Sequence, residues 1–376
     1  MRGADVPLEW DEKFSTVWSV RFSVENNTLL PHLYYYPSLL LYVGFVALAP
    51  EFVNYELHQN KTGFSKFLYN QLDYHSLLIR LRHASVFISS LTLLWIYLAV
   101  LAWRRNPWEA LLAACLIGMC PEFCDLARRF RSDALMTQCG AMTLLFLILS
   151  ETTREPNRWI RWAAFGSGLA AGAKYPGAAL LFPVLLSAHR RNIRSGLNVW
   201  QTLRPLAIVA GIFSITYLAT TPGTILDKSK FIQDVCLVQS IYAHGWHYSE
   251  YRTETGWPHL SLIAQFLFLS AFSRSVWISF FMAIMSLIGL LSSFREDKYL
   301  FGILLSFPLI YIATFIFQVY MIPRNYIVLL PFSAIFAARG CFFSFQSLQS
   351  HPILRFLMMS AILFSVVENT HWLYVG

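Results

Sequence analysis

Apolar positions in this chain do not alternate as in a half-buried strand, nor do they form the single stripe of a soluble amphipathic helix. They come in long runs bounded by Arg or Lys, by Trp or Tyr, and by Pro. A bilayer core takes about 20 apolar residues per helix, fewer where the ends snorkel. Ten runs meet that demand: His83 to Trp103, Trp108 to Phe123, Asp133 to Ser150, Trp159 to Gly172, Tyr175 to Ser187, Pro205 to Thr221, Ser275 to Phe294, Tyr299 to Tyr320, Asn325 to Phe343 and Leu354 to Val367. The pattern predicts an all-α polytopic membrane protein. Residues 1–376 form one integral-membrane unit, with a first loop over 1–82, helices over 83–221, a second long loop over 222–274 and helices over 275–376.

Sidedness follows from the short basic loops. Arg104 and Arg105, then Arg154, Arg158 and Arg161, then Arg190, Arg191, Arg194 and Arg204, then Arg295 and Lys298, and finally Arg339 and Arg355 fall in every second connection. Those connections are expected in the cytoplasm. The alternate ones, 1–82, Pro121 to Ser132, Ala173 to Lys174, Pro222 to Arg274 and Met321 to Arg324, are expected outside. Within the two long outer loops, Tyr34 to Pro50 and His259 to Phe272 are apolar segments flanked by Pro and aromatics, expected as helices lying in or along the interface, with a membrane span as the alternative for either. An outer first loop of this length also predicts a further helix upstream of Met1, or export of a short acidic tail with the first hairpin.

Composition agrees with the pattern. With 56% hydrophobic and 13% charged residues, the chain cannot divide itself between soluble cores and wettable surfaces. The net charge of +8 is scattered between apolar runs and never forms a basic stripe with interleaved aromatics, so nucleic acid is not an expected partner. Six cysteines without a CxxC pair read as small packing residues.

Charges near a membrane helix cost about 2.5 to 3.5 kcal/mol on insertion scales, so a cluster at one face calls for water or a function. The expected outer face has Asp11 and Glu12, then Arg128, Arg129, Arg131 and Asp133, then Lys174, then Arg324. Each has an ordinary reading: an acidic pair at a helix N-terminus, a headgroup-binding belt, a cap at Ser132 or Asp133, a snorkelling lysine, an interface anchor beside Tyr326. Their shared side favours one site in which an acid activates a hydroxyl and cations hold a phosphate.

The stretch "WDEKF…NTLLPHLYYYPSLLLY", from Trp10 to Tyr42, resembles the first extracytoplasmic loop of the GT-C glycosyltransferases, the superfamily of protein O-mannosyltransferases and lipid A aminoarabinose transferases. "RLRHASVFISSLTLLWIYL", "EALLAACLIGMCPEFCDLARRFRSDALM", "GLAAGAKYPGAALLFPVLL" and "VYMIPRNYIVLLPFSAIFAARG" continue the resemblance in order and spacing. It implies a GT-C-like helix bundle. It also implies Asp11 as general base or acceptor-binding carboxylate with Glu12 beside it, Asp133 as second carboxylate, and Lys174 and Arg324 as ligands of a lipid phosphate. Where the mannosyltransferases have His-Pro-Pro and the aminoarabinose enzymes Lys-Pro, this chain has Tyr36-Pro37-Ser38, so neither sugar donor is assigned.

The implied reaction moves a sugar from a polyprenyl-phosphate donor to an acceptor hydroxyl on protein, lipid or glycan, outside the membrane and with inversion. Asp11, Glu12 and Asp133 are the candidate catalytic acids; Lys174, Arg324, Arg128, Arg131, Tyr36 and His244 are the candidate phosphate or substrate ligands. No cofactor is required, although a divalent cation fits the chemistry. His244 and His247 have HxxH spacing but enclose Gly245 and lack the Glu of a zinc helix, which favours ordinary loop histidines. The competing reading is a transporter or flippase, which would place its charges near the midplane between internal repeats.

Overall fold

The computed structural model describes residues 12–51, 53, 74–194, 199–245 and 251–375. A π-helical turn, Glu12–Thr16, leads into α1 (Val17–Glu25), followed by α2 (Leu39–Ala47). The central helices are α3 (Tyr74–Arg104), α4 (Pro107–Gly118), α5 (Pro121–Ala127), α6 (Ser132–Thr152) and α7 (Pro156–Ala173). A 3₁₀ segment, Tyr175–Leu180, then runs into α8 (Leu181–Arg194), and α9 is Val199–Thr220. The second long loop has a helical turn at Gly223–Leu226, then α10 (Lys228–His244) and α11 (Trp257–Leu269). The chain continues through α12 (Val276–Glu296), α13 (Lys298–Phe315), a 3₁₀ segment at Pro323–Leu329, α14 (Leu330–Ser347) and α15 (Pro352–Val375). The described pairing outside helices is one antiparallel bridge between Arg252 and Tyr320.

Polar residues at the tight connections start two of the described helices, α4 and α13. The Asn106 carboxamide oxygen accepts from the Trp108 and Glu109 amides, and the Asp297 carboxylate accepts from those of Tyr299 and Leu300. Among the described residues six helical stretches are long and apolar enough to cross a membrane: Ser76–Arg104, Ser132–Thr152, Leu203–Thr220, Val276–Glu296, Lys298–Phe315 and Pro323–Ser347. They differ in what they face. In α6, 89% of the apolar window is buried by other helices, against 17% in α9, where Leu203, Ile208 and Ile215 are exposed. So α6 is the hub, flanked by α3 and α7, and α9 lies at the margin of the bundle with much of its apolar surface exposed. The α12–α14 pair closes the bundle through Gly289 and Gly340, where an added Cβ would collide with the carbonyl oxygens of Phe336 and Met285.

Several expected spans take another form. The run from Trp108 to Phe123 is not straight: α4 and α5 meet at 66°. Pro121 supplies no amide to continue the ladder, and Cys120 before it is extended, at φ −69° and ψ 118°. The run from Tyr175 to Ser187 opens as a 3₁₀ segment and becomes a charged helix ending at Arg194; neither it nor the run from Trp159 to Gly172 is among the six. Arg339, expected in a basic loop, is instead buried within α14. The interface segments appear as α2, of 9 residues, and α11, of 13, both shorter than a span requires.

From Asp133 to Glu151, α6 rises about 27 Å at 1.5 Å per residue, close to one hydrocarbon thickness. Its two ends therefore lie at opposite faces of the bundle, and each gathers charge.

Candidate active site

The Asp133 end of α6 brings three segments together. Asp133 lies in the first turn of α6; Arg131, just before that helix, is its N-terminal boundary residue and contributes no side-chain cap. Lys174 ends α7, because Pro176 cannot extend a helix and the backbone at Lys174 turns extended, φ −153° and ψ 134°. Asn325 comes from the 3₁₀ segment before α14, where the Tyr311 hydroxyl donates to its main-chain carbonyl at 2.7 Å.

Lys174 Nζ donates to Asp133 Oδ1 at 2.5 Å and to Asn325 Oδ1 at 2.7 Å. All three residues are buried. An ammonium has only donors, so the Asn325 oxygen must face it. The amide nitrogen Nδ2 is then buried with no hydrogen-bond partner among the described residues. Arg131 and Arg324 also lie within electrostatic reach of Asp133, and Tyr251 stands beside Arg131. Burial, reinforced by the neighbouring Arg324 charge, pushes the Arg131 guanidinium down to about 10, so it remains protonated at neutral pH. Lys174, Arg131 and Arg324 thus all act on the Asp133 carboxylate. The Tyr36 ring covers the ammonium, its centroid 5.9 Å from Lys174 Nζ.

Asp133, Lys174, Arg131, Arg324 and Tyr36, nominated from separate loops, therefore converge. Asp133 is an ion-pair partner and not a helix cap, and Lys174 is enclosed rather than snorkelling. Glu12 has a different setting. Its carboxylate is fully buried and accepts from Arg82 Nε at 2.9 Å, from Arg82 Nη2 at 2.6 Å and from the Phe130 amide at 3.1 Å. With both oxygens engaged, Glu12 clamps the N-terminal segment to the loop that carries Arg131. Thr16 reinforces the clamp, donating to the Phe130 carbonyl at 2.7 Å. Asp11 lies outside the described residues.

Arg128 closes α5 with Cys124 as its described electrostatic neighbour, and is not among the charges around Asp133. His244 is exposed on the last turn of α10, with Nδ1 3.2 Å from the Ser240 carbonyl of the same helix. His247 lies outside the described residues, so the HxxH pair has no described geometry. Among the described residues no three His, Cys, Asp or Glu side chains gather as a metal site, and all six cysteines are free thiols.

Three contributors escaped the sequence reading. Asn325 follows the more conspicuous Arg324, and Arg82 is hidden in the helix that Glu12 grips. His259, fully buried, has Nδ1 2.7 Å from the Gln318 carbonyl and Nε2 2.8 Å from the Tyr326 hydroxyl, so it holds the residue next to Asn325. The polar doublet Arg324-Asn325, interrupting an apolar stretch, was the signal available.

The family model described as dolichyl-phosphate-mannose-protein mannosyltransferase matches residues 75–197. No curated protein sequence matches the chain. Among solved structures, the chain is similar to ArnT from Cupriavidus metallidurans bound to undecaprenyl phosphate: TM-score 0.60 and 13% identity, covering 90% of this chain and 57% of that one. The apo form of that protein aligns with TM-score 0.53 and 15% identity, over 87% and 54% of the two chains. The archaeal oligosaccharyltransferase AglB from Archaeoglobus fulgidus, in complex with an inhibitory peptide and a dolichol-phosphate, aligns with TM-score 0.57 and 14% identity, over 94% and 50%. The chain spans about half the length of these proteins, 50 to 57%. Its fold is the GT-C fold.

Proposed function

We propose that this protein is a membrane glycosyltransferase that moves a sugar from a polyprenyl-phosphate donor to an acceptor hydroxyl at the extracytoplasmic face, with inversion. The observation that carries the reading is the Lys174 ammonium held by Asp133 and Asn325 at the N-terminus of α6, with Arg131 and Arg324 beside the same carboxylate. A polyprenyl-phosphate sugar already has a good leaving group, so the protein must chiefly oppose the charge that grows on the departing phosphate. Cations fixed in a site poor in water do so with little reorganisation, and the helix N-terminus adds to them. Two of the three Lys174 protons are engaged by Asp133 and Asn325, which aims the ammonium and leaves one donor for a phosphate oxygen.

In this reading Asp133 orients Lys174, Asp11 takes the acceptor proton, and Glu12 holds the neighbouring segment in place. A general base contributes about a hundred- to ten-thousand-fold. Inversion follows from single displacement at the anomeric carbon. The undecaprenyl phosphate and dolichol-phosphate in the similar structures support a lipid carrier. A flippase is disfavoured because the cluster lies at one end of α6 and not at its middle.

The test is direct. Purified protein should bind undecaprenyl phosphate, Lys174→Ala should lose that binding, and Asp11→Asn should bind normally but no longer transfer sugar. Equal transfer by Asp11→Asn and the parent would remove the base assignment; undiminished binding by Lys174→Ala would remove the phosphate site.

A further inference from the structure

The loop after α9 packs on the segment that ends at Tyr36. Asp234 of α10 is 1% exposed, and its Oδ2 accepts the Tyr34 main-chain N–H at 2.8 Å while Oδ1 takes Lys230 Nζ at 2.7 Å. From the other side, the Tyr175 hydroxyl donates to the Tyr34 carbonyl at 2.8 Å. Both polar groups of Tyr34's backbone are thereby held by side chains distant in sequence. The Phe231 ring packs edge-on against Tyr34 and Tyr175, with centroids 5.7 and 6.1 Å away. Gly223 completes the seat, since an added Cβ would collide with the Tyr34 ring and hydroxyl.

This anchoring acts next to the proposed phosphate site. Tyr175 directly follows Lys174, and Tyr36 is two residues beyond the pinned backbone, with its ring over the Lys174 ammonium. We infer that Asp234 is a positioning residue for substrate binding: it fixes the Tyr34 backbone so that Tyr36 covers Lys174, and so sets the affinity of that ammonium for the phosphate of the lipid carrier. The inference rests on the phosphate reading above. A ring over an ammonium displaces water from one side of the charge, which strengthens its pull on an anion approaching from another. A carboxylate oxygen suits the task because a buried N–H left without an acceptor costs more than the hydrogen bond gains.

The experiment is a double-mutant cycle read as the Kd for undecaprenyl phosphate, on the full chain in nanodiscs. Asp234→Ala and Tyr36→Ala should each weaken binding about fivefold to tenfold, the size expected for one lost buried hydrogen bond or its consequence. In the Tyr36→Ala background, Asp234→Ala should add nothing. Asp234→Asn should bind within about twofold of the parent, because the amide oxygen still accepts the Tyr34 N–H. Gly223→Ala, which displaces Tyr34 without touching Asp234, should reproduce the loss. Additive losses, parent-like binding by Asp234→Ala, or an equal loss in Asp234→Asn would each overturn the inference. Undiminished binding by Lys174→Ala would instead remove the underlying phosphate reading, and that variant leaves Asp234 and Tyr34 unaltered.

Discussion

The two charged ends of the bundle use similar residues to opposite effect. At the far end from Asp133, Arg104 bonds Glu296 and lies 3.5 Å from Glu109, while Arg339 bonds Glu296 and stands 3.9 Å from Glu109. The Ser292 hydroxyl accepts from Arg339 Nε at 3.0 Å. Two arginines and two glutamates thus neutralise one another and staple α3, α4, α12 and α14 together. At the Asp133 end Lys174, Arg131 and Arg324 gather around Asp133, and the Lys174 ammonium has a third donor beyond those it gives to Asp133 and Asn325. Four charged groups that bridge four helices hold the bundle together, whereas an ammonium with a donor in hand beside a helix N-terminus can meet an added anion. What the charges are joined to, more than their number, separates a staple from a binding site.

Breaking each end should give different symptoms. The largest effect is expected from Lys174→Ala, with sugar transfer falling about a hundred- to thousandfold, the usual cost of losing one preorganised donor to developing charge. Single-turnover transfer measures it, and a loss below tenfold would argue against Lys174 at the phosphate. Next, Arg339→Ala removes the buried guanidinium that bonds Glu296 and Ser292 and leaves Glu109 with Arg104 alone; it should cost about 1.5 to 3 kcal/mol of stability, the scale of a lost charged hydrogen bond. Thermal unfolding in detergent reads that loss, while the Kd for undecaprenyl phosphate in the surviving folded protein should stay within about twofold. If affinity collapsed instead, the two ends would not be independent.

Asn325→Asp sharpens the contrast by adding a carboxylate beside the Lys174 ammonium. It should bind the lipid phosphate roughly tenfold more weakly, since a second carboxylate beside Lys174 satisfies the charge that the ligand would otherwise meet. Tighter binding would contradict a phosphate at Lys174.

The smallest effect concerns pH. Burial depresses the His259 pKa, with the Gln318 carbonyl opposing it, so the folded state holds the neutral ring more firmly than the unfolded chain does. The unfolded state then binds more protons as pH falls, and stability contributed above its ordinary pKa near ~6.5 is lost on acidification. The melting temperature should drop between about pH 7.5 and 5.5, and His259→Asn should flatten that slope; an unchanged slope would place the dependence elsewhere.

How much of this was legible depends on the kind of signal. The apolar runs of α3, α6, α12 and α13 stood out because span length is local and repeated. Asp133 and Lys174 stood out because a charge at the rim of an apolar run has no ordinary excuse. Asn325 was overlooked because an uncharged polar residue beside Arg324 carries no comparable penalty. Arg339 looked like a loop arginine, since its partners Glu109 and Glu296 are 230 and 43 positions away. The break at Pro121 was readable in principle, but the hydrophobicity on either side concealed it.

The amino-acid order alone determined that the chain is helical and membrane-embedded, and which charges stand at the rims of its helices. Those are consequences of neighbouring residues, set by how long an apolar run is and what bounds it. The packing of α6 against α7 and of the 3₁₀ segment before α14 decided that Asp133 meets Lys174 and Asn325, and that Glu12 is held by Arg82. Coulombic attraction falls with separation in space, and separation between residues 41, 70 or 151 positions apart exists only once the helices are assembled.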